Sequence, residues 1–274
     1  MINPAVAGSK ECMDIKLGYR SQWVGFQDAP QTMFISMHKR VFSRNQFSSK
    51  SAYEGVGGYL IKDQVGPIGK IGGHVAYSVH ISLNTYLKLA MGISIGALQH
   101  SINTNLLTPV NLPDPAVSSK SALVPDANAG LWLYHENFFT GIAIRQLIPF
   151  KIGGSNNLLQ NHFLLSGGYK MRFTSTISLI PSAHIKIVAN APIQIDANLK
   201  ADWKNTVWVA VTYRKIDGMA GIIGVKANHL LHIAYAYDYN TSSIQNYSSN
   251  GHEIIIGITP NCKEKGKYDC PTFN

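Results

Sequence analysis

Between Pro192 and Tyr239 the sequence alternates apolar and polar residues with a period of two. Ile193, Ile195, Ala197, Leu199, Ala201 and Trp203 interleave with Gln194, Asp196, Asn198, Lys200 and Asp202. Val207, Val209, Val211 and Tyr213 interleave with Trp208, Ala210, Thr212 and Arg214, and Ile223, Val225 and Ala227 with Ile222, Gly224 and Lys226. A fourth pass sets Leu231, Ile233, Tyr235, Tyr237 and Tyr239 against His232, Ala234, Ala236 and Asp238. Successive side chains of a strand point to opposite faces, so these are four strands, each with one apolar and one polar face. Their connections, Lys204-Asn205-Thr206, Asp217-Gly218 and Asn228-His229, are hairpin-sized and carry turn chemistry. The run is an antiparallel meander.

The same pattern extends over most of the chain. Ile15, Leu17, Tyr19, Ser21 and Trp23 oppose Asp14, Lys16, Gly18, Arg20 and Gln22 in a first strand. Further strands are expected at Thr32–Val41, Gly55–Lys62, Lys70–Ser82, Leu87 to Gly96, Asn128–Tyr134, Phe138–Leu147, Phe163 to Phe173, Thr176–Val188 and Glu253–Thr259. In the fourth, His74, Ala76, Ser78 and His80 form the inward face. Pro181 interrupts the ninth and belongs on its outward face near a bulge. Ser43–Glu54, Ser101–Val124, Pro149–Leu159 and Asn240–Gly251 read as loops. The count is fourteen, and the turns alternate in length, with Leu83-Asn84, Thr174-Ser175, Lys204–Thr206 and Asn228-His229 among the short ones.

Charged residues are only 14%, low against the usual quarter or so of a soluble domain, and no run approaches the roughly 20 apolar residues of a helical span. Middling hydropathy in short alternating segments, an even strand count and short turns on one side are the plan of an outer-membrane barrel. The expectation is therefore all-β: one antiparallel transmembrane β-barrel of about fourteen strands over residues 12–260, both termini periplasmic. Residues 1–11 are its lead-in and 261–274 its tail, both on the periplasmic side. Closure also removes the sheet edges that invite aggregation. Trp23, Tyr86, Trp132, Trp203 and Tyr239 are placed for the interfacial girdles. A soluble sandwich is the plainer alternative. The net charge of +9 is dispersed along polar faces, with no basic helix, zinc-ligand spacing or aromatic-basic motif, which argues against nucleic acid.

Inside such a barrel the polar faces become a lumen. Lys170, Arg172, His184, Lys186, Asp196, Lys200, Asp202, Arg214, Lys226 and Asp238 should line it, either neutralising one another or lining a path or a plug. His38, His74, His80 and His100 have no accompanying carboxylate pattern and read as polar-face histidines rather than a metal cluster. No cofactor is expected. Ser, His and Asn are too common here for their presence to signal a hydrolase, and an enzyme is not expected. Cys262 and Cys270 bracket a short polar loop and are placed to form a disulfide in an oxidising compartment, or to stay thiols; Cys12 would then be free. Met1 is followed by Ile-Asn-Pro-Ala-Val-Ala-Gly, with no secretory leader, as expected of a chain already processed or shortened at its start.

Several ordered motifs resemble a known family. They are Asn3-Pro4-Ala5 with Gly8, Tyr19-Arg20-Ser21-Gln22-Trp23-Val24-Gly25, Asp63-Gln64-Val65-Gly66-Pro67, Gly167-Gly168-Tyr169, and Ala191-Pro192-Ile193 with Asp196. Tyr213-Arg214, Tyr235-Ala236-Tyr237-Asp238-Tyr239, His252-Glu253 and Cys270-Pro271-Thr272-Phe273 complete the series. Together they are similar to the PorP/SprF family, outer-membrane proteins of the type IX secretion and gliding apparatus of Bacteroidota. The resemblance implies a non-enzymatic accessory of protein export. Its partners would be a surface adhesin with a C-terminal sorting domain, the periplasmic ring of the machine, or both, besides outer-membrane lipid. Asn3, Pro4, Arg20, Trp23, Cys262, Cys270, Pro271 and Phe273 are then the docking candidates. The competing readings are a diffusion channel for small solutes and a soluble β protein with ligand-binding loops.

Overall fold

The computed structural model describes residues 1–10, 12–44, 52–103, 121–149, 160–215, 218–241 and 250–260. One antiparallel sheet contains every strand: β1 (Asp14–Ser21), β2 (Gln31–Arg44), β3 (Ala52–Val65), β4 (Ile68–Ser82), β5 (Lys88–Ile102), β6 (Ser121–Tyr134), β7 (Phe138–Arg145), β8 (His162–Tyr169), β9 (Met171–Arg172), β10 (Ile177–Val188), β11 (Gln194–Trp203), β12 (Val207–Arg214), β13 (Gly218–Lys226), β14 (Leu231–Asn240) and β15 (Gly251–Ile258). Neighbours in sequence pair with each other, and β15 pairs back onto β1, with Ile15 opposite Ile258. The strip is therefore a closed barrel.

β8 and β9 are two parts of one stave, so the barrel has the expected fourteen. Both pair with β10, from Ser182 opposite Gly168 upward and again at Leu179 opposite Met171, in unchanged register. Ile180 and Pro181 lie in the gap, and Pro181 has no backbone N–H to contribute to the ladder. The expected bulge is absent there; a true register shift falls between Arg40 and Phe42 on β2. That bulge flips the alternation, which is why the pattern read from sequence stops at Val41 while the strand runs on to Arg44. Likewise β6 begins at Ser121, inside the expected loop, because Pro125 points outward and Asp126 inward, a pair that reads as a turn in sequence.

The alternation sorts the two faces. Leu17, Ile35, Val75, Ile93, Leu131, Leu165, Leu199, Val211, Ile223 and Tyr235 are all exposed on the outside. A belt of large apolar side chains around a closed barrel is what lipid requires. Tyr86, Trp203 and Tyr239 are exposed as a girdle demands, but Trp132 is not: it is only 4% exposed and stacks on Phe139 inside the barrel, centroids 5.2 Å apart. Its register with inward Gly141 places it on the luminal face. Because the stave number is even, the start of β1 and the end of β15 share one end of the barrel. That end also carries the short turns after β4, β6, β9, β11 and β13.

Candidate functional site

The lumen beside β4, β5 and β6 is occupied by the chain's own beginning. Pro4–Val6 form a single 3-10 turn, initiated by Pro at its first turn and by the Asn3 side chain, which accepts from the Ala5 N–H at 2.9 Å. Ala5 and Ala7 have no exposed surface at all. The Asn3 amide donates to the strand carbonyls of Leu131 (2.9 Å) and Ile142 (3.2 Å), so one side chain ties the turn to both β6 and β7. Three inward glycines make room. A Cβ at Gly92 would strike the Ala5 backbone, one at Gly130 the Asn3 side chain, and one at Gly55 the Ala7 carbonyl. Gly8 answers with φ of 72°, a conformation in which its own Cβ would meet Gly55. Ala5 completes an apolar cluster with Ala90, Trp132, Tyr134 and Phe139.

A polar network seals the far side of this segment. A carbonyl can only accept, so the Ala7 oxygen takes hydrogen bonds from Ser78 Oγ (2.6 Å) and His80 Nε2 (2.7 Å). With the His80 proton on Nε2, its Nδ1 accepts from the Tyr134 hydroxyl at 3.0 Å, and Tyr134 in turn pairs with the Tyr53 hydroxyl. Tyr53 lies flat on His80, centroids 4.5 Å apart, and the Arg40 guanidinium covers the other ring, 3.6 Å from the Tyr53 centroid. His38 Nδ1 accepts from the Gly8 N–H (3.3 Å), which leaves its Nε2 facing Asp14 at 3.5 Å; Lys10 closes on the same carboxylate at 2.8 Å. His38 and His80 are thus connectors of the lead-in. The motif Asn3-Pro4-Ala5 was legible in sequence, but its burial was not. The usable signal was three glycines at inward positions of three strands.

Across the lumen the predicted charges separate into small groups. Asp238 is buried between Arg20, which donates from Nε (3.1 Å) and Nη2 (2.7 Å), and Arg214, whose Nη1 lies at 3.1 Å. Arg20 also approaches Glu253 at 3.9 Å. This group borders a cleft of ≈ 350 Å³ lined by Arg20, Gln22, Gln194, Ile195, Asp196, Arg214 and Lys215. Lys200 sits over the Trp208 ring at 4.1 Å, His184 Nδ1 meets Ser166 Oγ at 2.9 Å, and Asp202 accepts from the Asn205 N–H at 2.9 Å to close a turn. Arg172 is exposed at the short-turn rim, 3.7 Å from Glu136. Lys170, Lys186 and Lys226 are half-buried inward, Lys170 at the break in its stave.

Of the docking candidates, Asn3 and Pro4 are buried against the barrel wall and present nothing to solvent in this conformation. Trp23 forms the turn after β1 with φ of 52°, its carbonyl accepting from the Phe26 N–H. Cys262, Cys270, Pro271 and Phe273 lie outside the described residues, and so does the expected Cys262–Cys270 bridge. Cys12 is disulfide-bonded, which corrects the expectation that it stays free.

The fold is shared with solved outer-membrane barrels. The CymD monoaromatic hydrocarbon channel aligns at a TM-score of 0.53 with 12% identity, over 94% of this chain and 90% of that one. A Pseudomonas aeruginosa FadL homologue aligns at 0.52 with 11% identity (93% and 91%), and a TodX deltaS2S3 mutant channel at 0.52 with 8% identity (93% and 91%). At such identities the likeness is one of fold alone. No curated protein matches the chain in sequence. The family model for the type IX secretion system membrane protein PorP/SprF matches residues 1–258, the luminal lead-in included. The chain is a type IX secretion outer-membrane β-barrel and belongs to the PorP/SprF family.

Proposed function

We propose that this protein is a closed scaffold of the type IX machine rather than an open conduit, holding an exported surface protein or the periplasmic ring through its two ends. The observation that carries this reading is the lead-in, seated against three glycines and two histidines, tied to β6 and β7 by its own Asn3, and included within the family match. A filled lumen suits a scaffold, because packed groups inside stiffen the wall and fix its ends. In this reading both termini are periplasmic. The end of β15 lies beside the start of β1, and in this reading a ring or adaptor protein would bind the tail, 261–274, that follows it. The long connections at the other end face outward, toward an adhesin bearing a C-terminal sorting domain. No step of bond chemistry is assigned to any residue.

Gentle detergent extraction from the native outer membrane, followed by mass spectrometry of what travels with the protein, tests the proposal. Recovery of type IX ring components or a large surface protein is expected, and loss of that recovery when Asn261–Asn274 is deleted. A barrel that purifies alone from intact membranes would contradict it.

A further inference from the structure

We propose that Lys70, Arg145, His162 and Lys186 form a luminal binding site for carboxylate-bearing ligands that enter from the long-loop end. The inference stands on the barrel and not on the secretion role, so either can fail without the other.

The four residues come from four staves and converge at one level. Arg145 closes β7 directly opposite His162, the first residue of β8. Val188 of β10 is the next partner of His162, and Lys186 lies two residues from it on the same face. Lys70 is near the start of β4, opposite His100 on β5, and shares the inward parity of His74, Ala76 and Ser78. Lys70 lies within electrostatic reach of both Arg145 and Lys186, and His162 lies within reach of all three, so the four side chains share one region of the lumen.

Among the described residues little offsets them. The acidic groups nearby are Asp63 and Asp126. Asp63 is engaged by the Thr32 hydroxyl at 2.7 Å, and Asp126 is buried against His74 Nε2 at 2.7 Å. Among the described residues Lys70 and Lys186 make no hydrogen bond or ion pair, and the His100 Nε2 beside Lys70 is buried without a partner. Arg145, in contrast, is held in place. Its Nη2 donates to the Tyr59 hydroxyl (3.4 Å), Tyr59 stacks on His74 at 4.7 Å between centroids, and His74 is fixed by Asp126. A guanidinium positioned by one N–H presents the rest of its fork to a planar carboxylate, and two flanking ammonium groups supply charge without demanding geometry. Like charges gathered in a partly dry space, with Asp63 taken by Thr32 and Asp126 held by His74 through Oδ2 alone, favour an anion from outside. Carboxylates of an acidic polypeptide segment and of a free di- or tricarboxylate share this chemistry.

The test uses the full chain in detergent, with a fluorescent hexaglutamate peptide, citrate as competitor and a hexalysine peptide as control. Hexaglutamate should bind at low salt, and Lys70→Gln combined with Lys186→Gln should weaken it by about tenfold or more. Arg145→Gln should act in the same direction, while Lys204→Gln, at the short-turn rim, should change nothing. Displacement by citrate, or binding of citrate alone, assigns a small-solute source; hexaglutamate binding that citrate does not displace assigns a polypeptide. Because the double variant removes like-charge repulsion, it should unfold at a higher temperature than the parent without ligand, which also shows that it is folded. Absence of binding by both anions, equal binding of hexalysine, or binding untouched by the double substitution would overturn the site.

Discussion

At the scale of single residues, the lead-in is held by groups too small or too common to stand out. Gly92 is the sharpest case, since any side chain there must displace Ala5. Gly92→Val should therefore expel the lead-in while leaving a barrel, at a packing cost of about 1–3 kcal/mol. A thiol introduced by Ala7→Cys checks this: protected from maleimide in the parent background, where Ala7 has no exposed surface, it should label readily once Gly92→Val is added. Asn3→Ala tests the polar half. It strips partners from two strand carbonyls and one N–H, and should lower stability by about 3 kcal/mol, read as a drop in unfolding temperature. Neither residue announced its role. Asn3 was visible as part of a motif, but its partners Leu131 and Ile142 lie more than a hundred positions away, and period-two patterning carries no information about a segment that is not a strand.

At the scale of elements, the staves and their faces were legible because lipid on one side and a polar lumen on the other enforce strict alternation. The exceptions have local causes. The bulge after Arg40 and the Pro125-Asp126 pair broke the pattern without breaking the strand, and Trp132 looked like a girdle residue until register put it inside. The charges were legible as a set but not as pairs: Asp238 binds Arg20 across the β14–β15–β1 seam, 218 residues apart in sequence. Asp238→Ala leaves both Arg20 and Arg214 without their shared carboxylate, and should destabilise the barrel by roughly 3 kcal/mol. A double-mutant cycle of Asp238→Ala with Arg20→Ala should return a coupling well above that of an exposed pair such as Arg172 with Glu136, whose double-mutant value should be near zero. Pro181→Val should restore a missing ladder donor, and amide exchange around Tyr169–Met171 should slow relative to the parent.

At the scale of the whole molecule, closure brings the first and last strands together. Ile15 faces Ile258, so the residues before β1 and after β15 leave from neighbouring staves. Cys12 lies just before β1 and is disulfide-bonded, and the sequence holds only two other cysteines. Peptide mapping without reduction should join the Cys12 peptide to one containing Cys262 or Cys270; a Cys262–Cys270 linkage with Cys12 as a thiol would contradict that. The central claim, that the lead-in obstructs the lumen from beside β4, β5 and β6 and the barrel serves as a scaffold, is tested most directly by conductance in planar bilayers. The intact chain is compared with one lacking residues 1–9. The intact protein should show no large steady conductance, and deletion should open one. A large steady current through the intact protein, unchanged by the deletion, would contradict the claim and favour a solute channel.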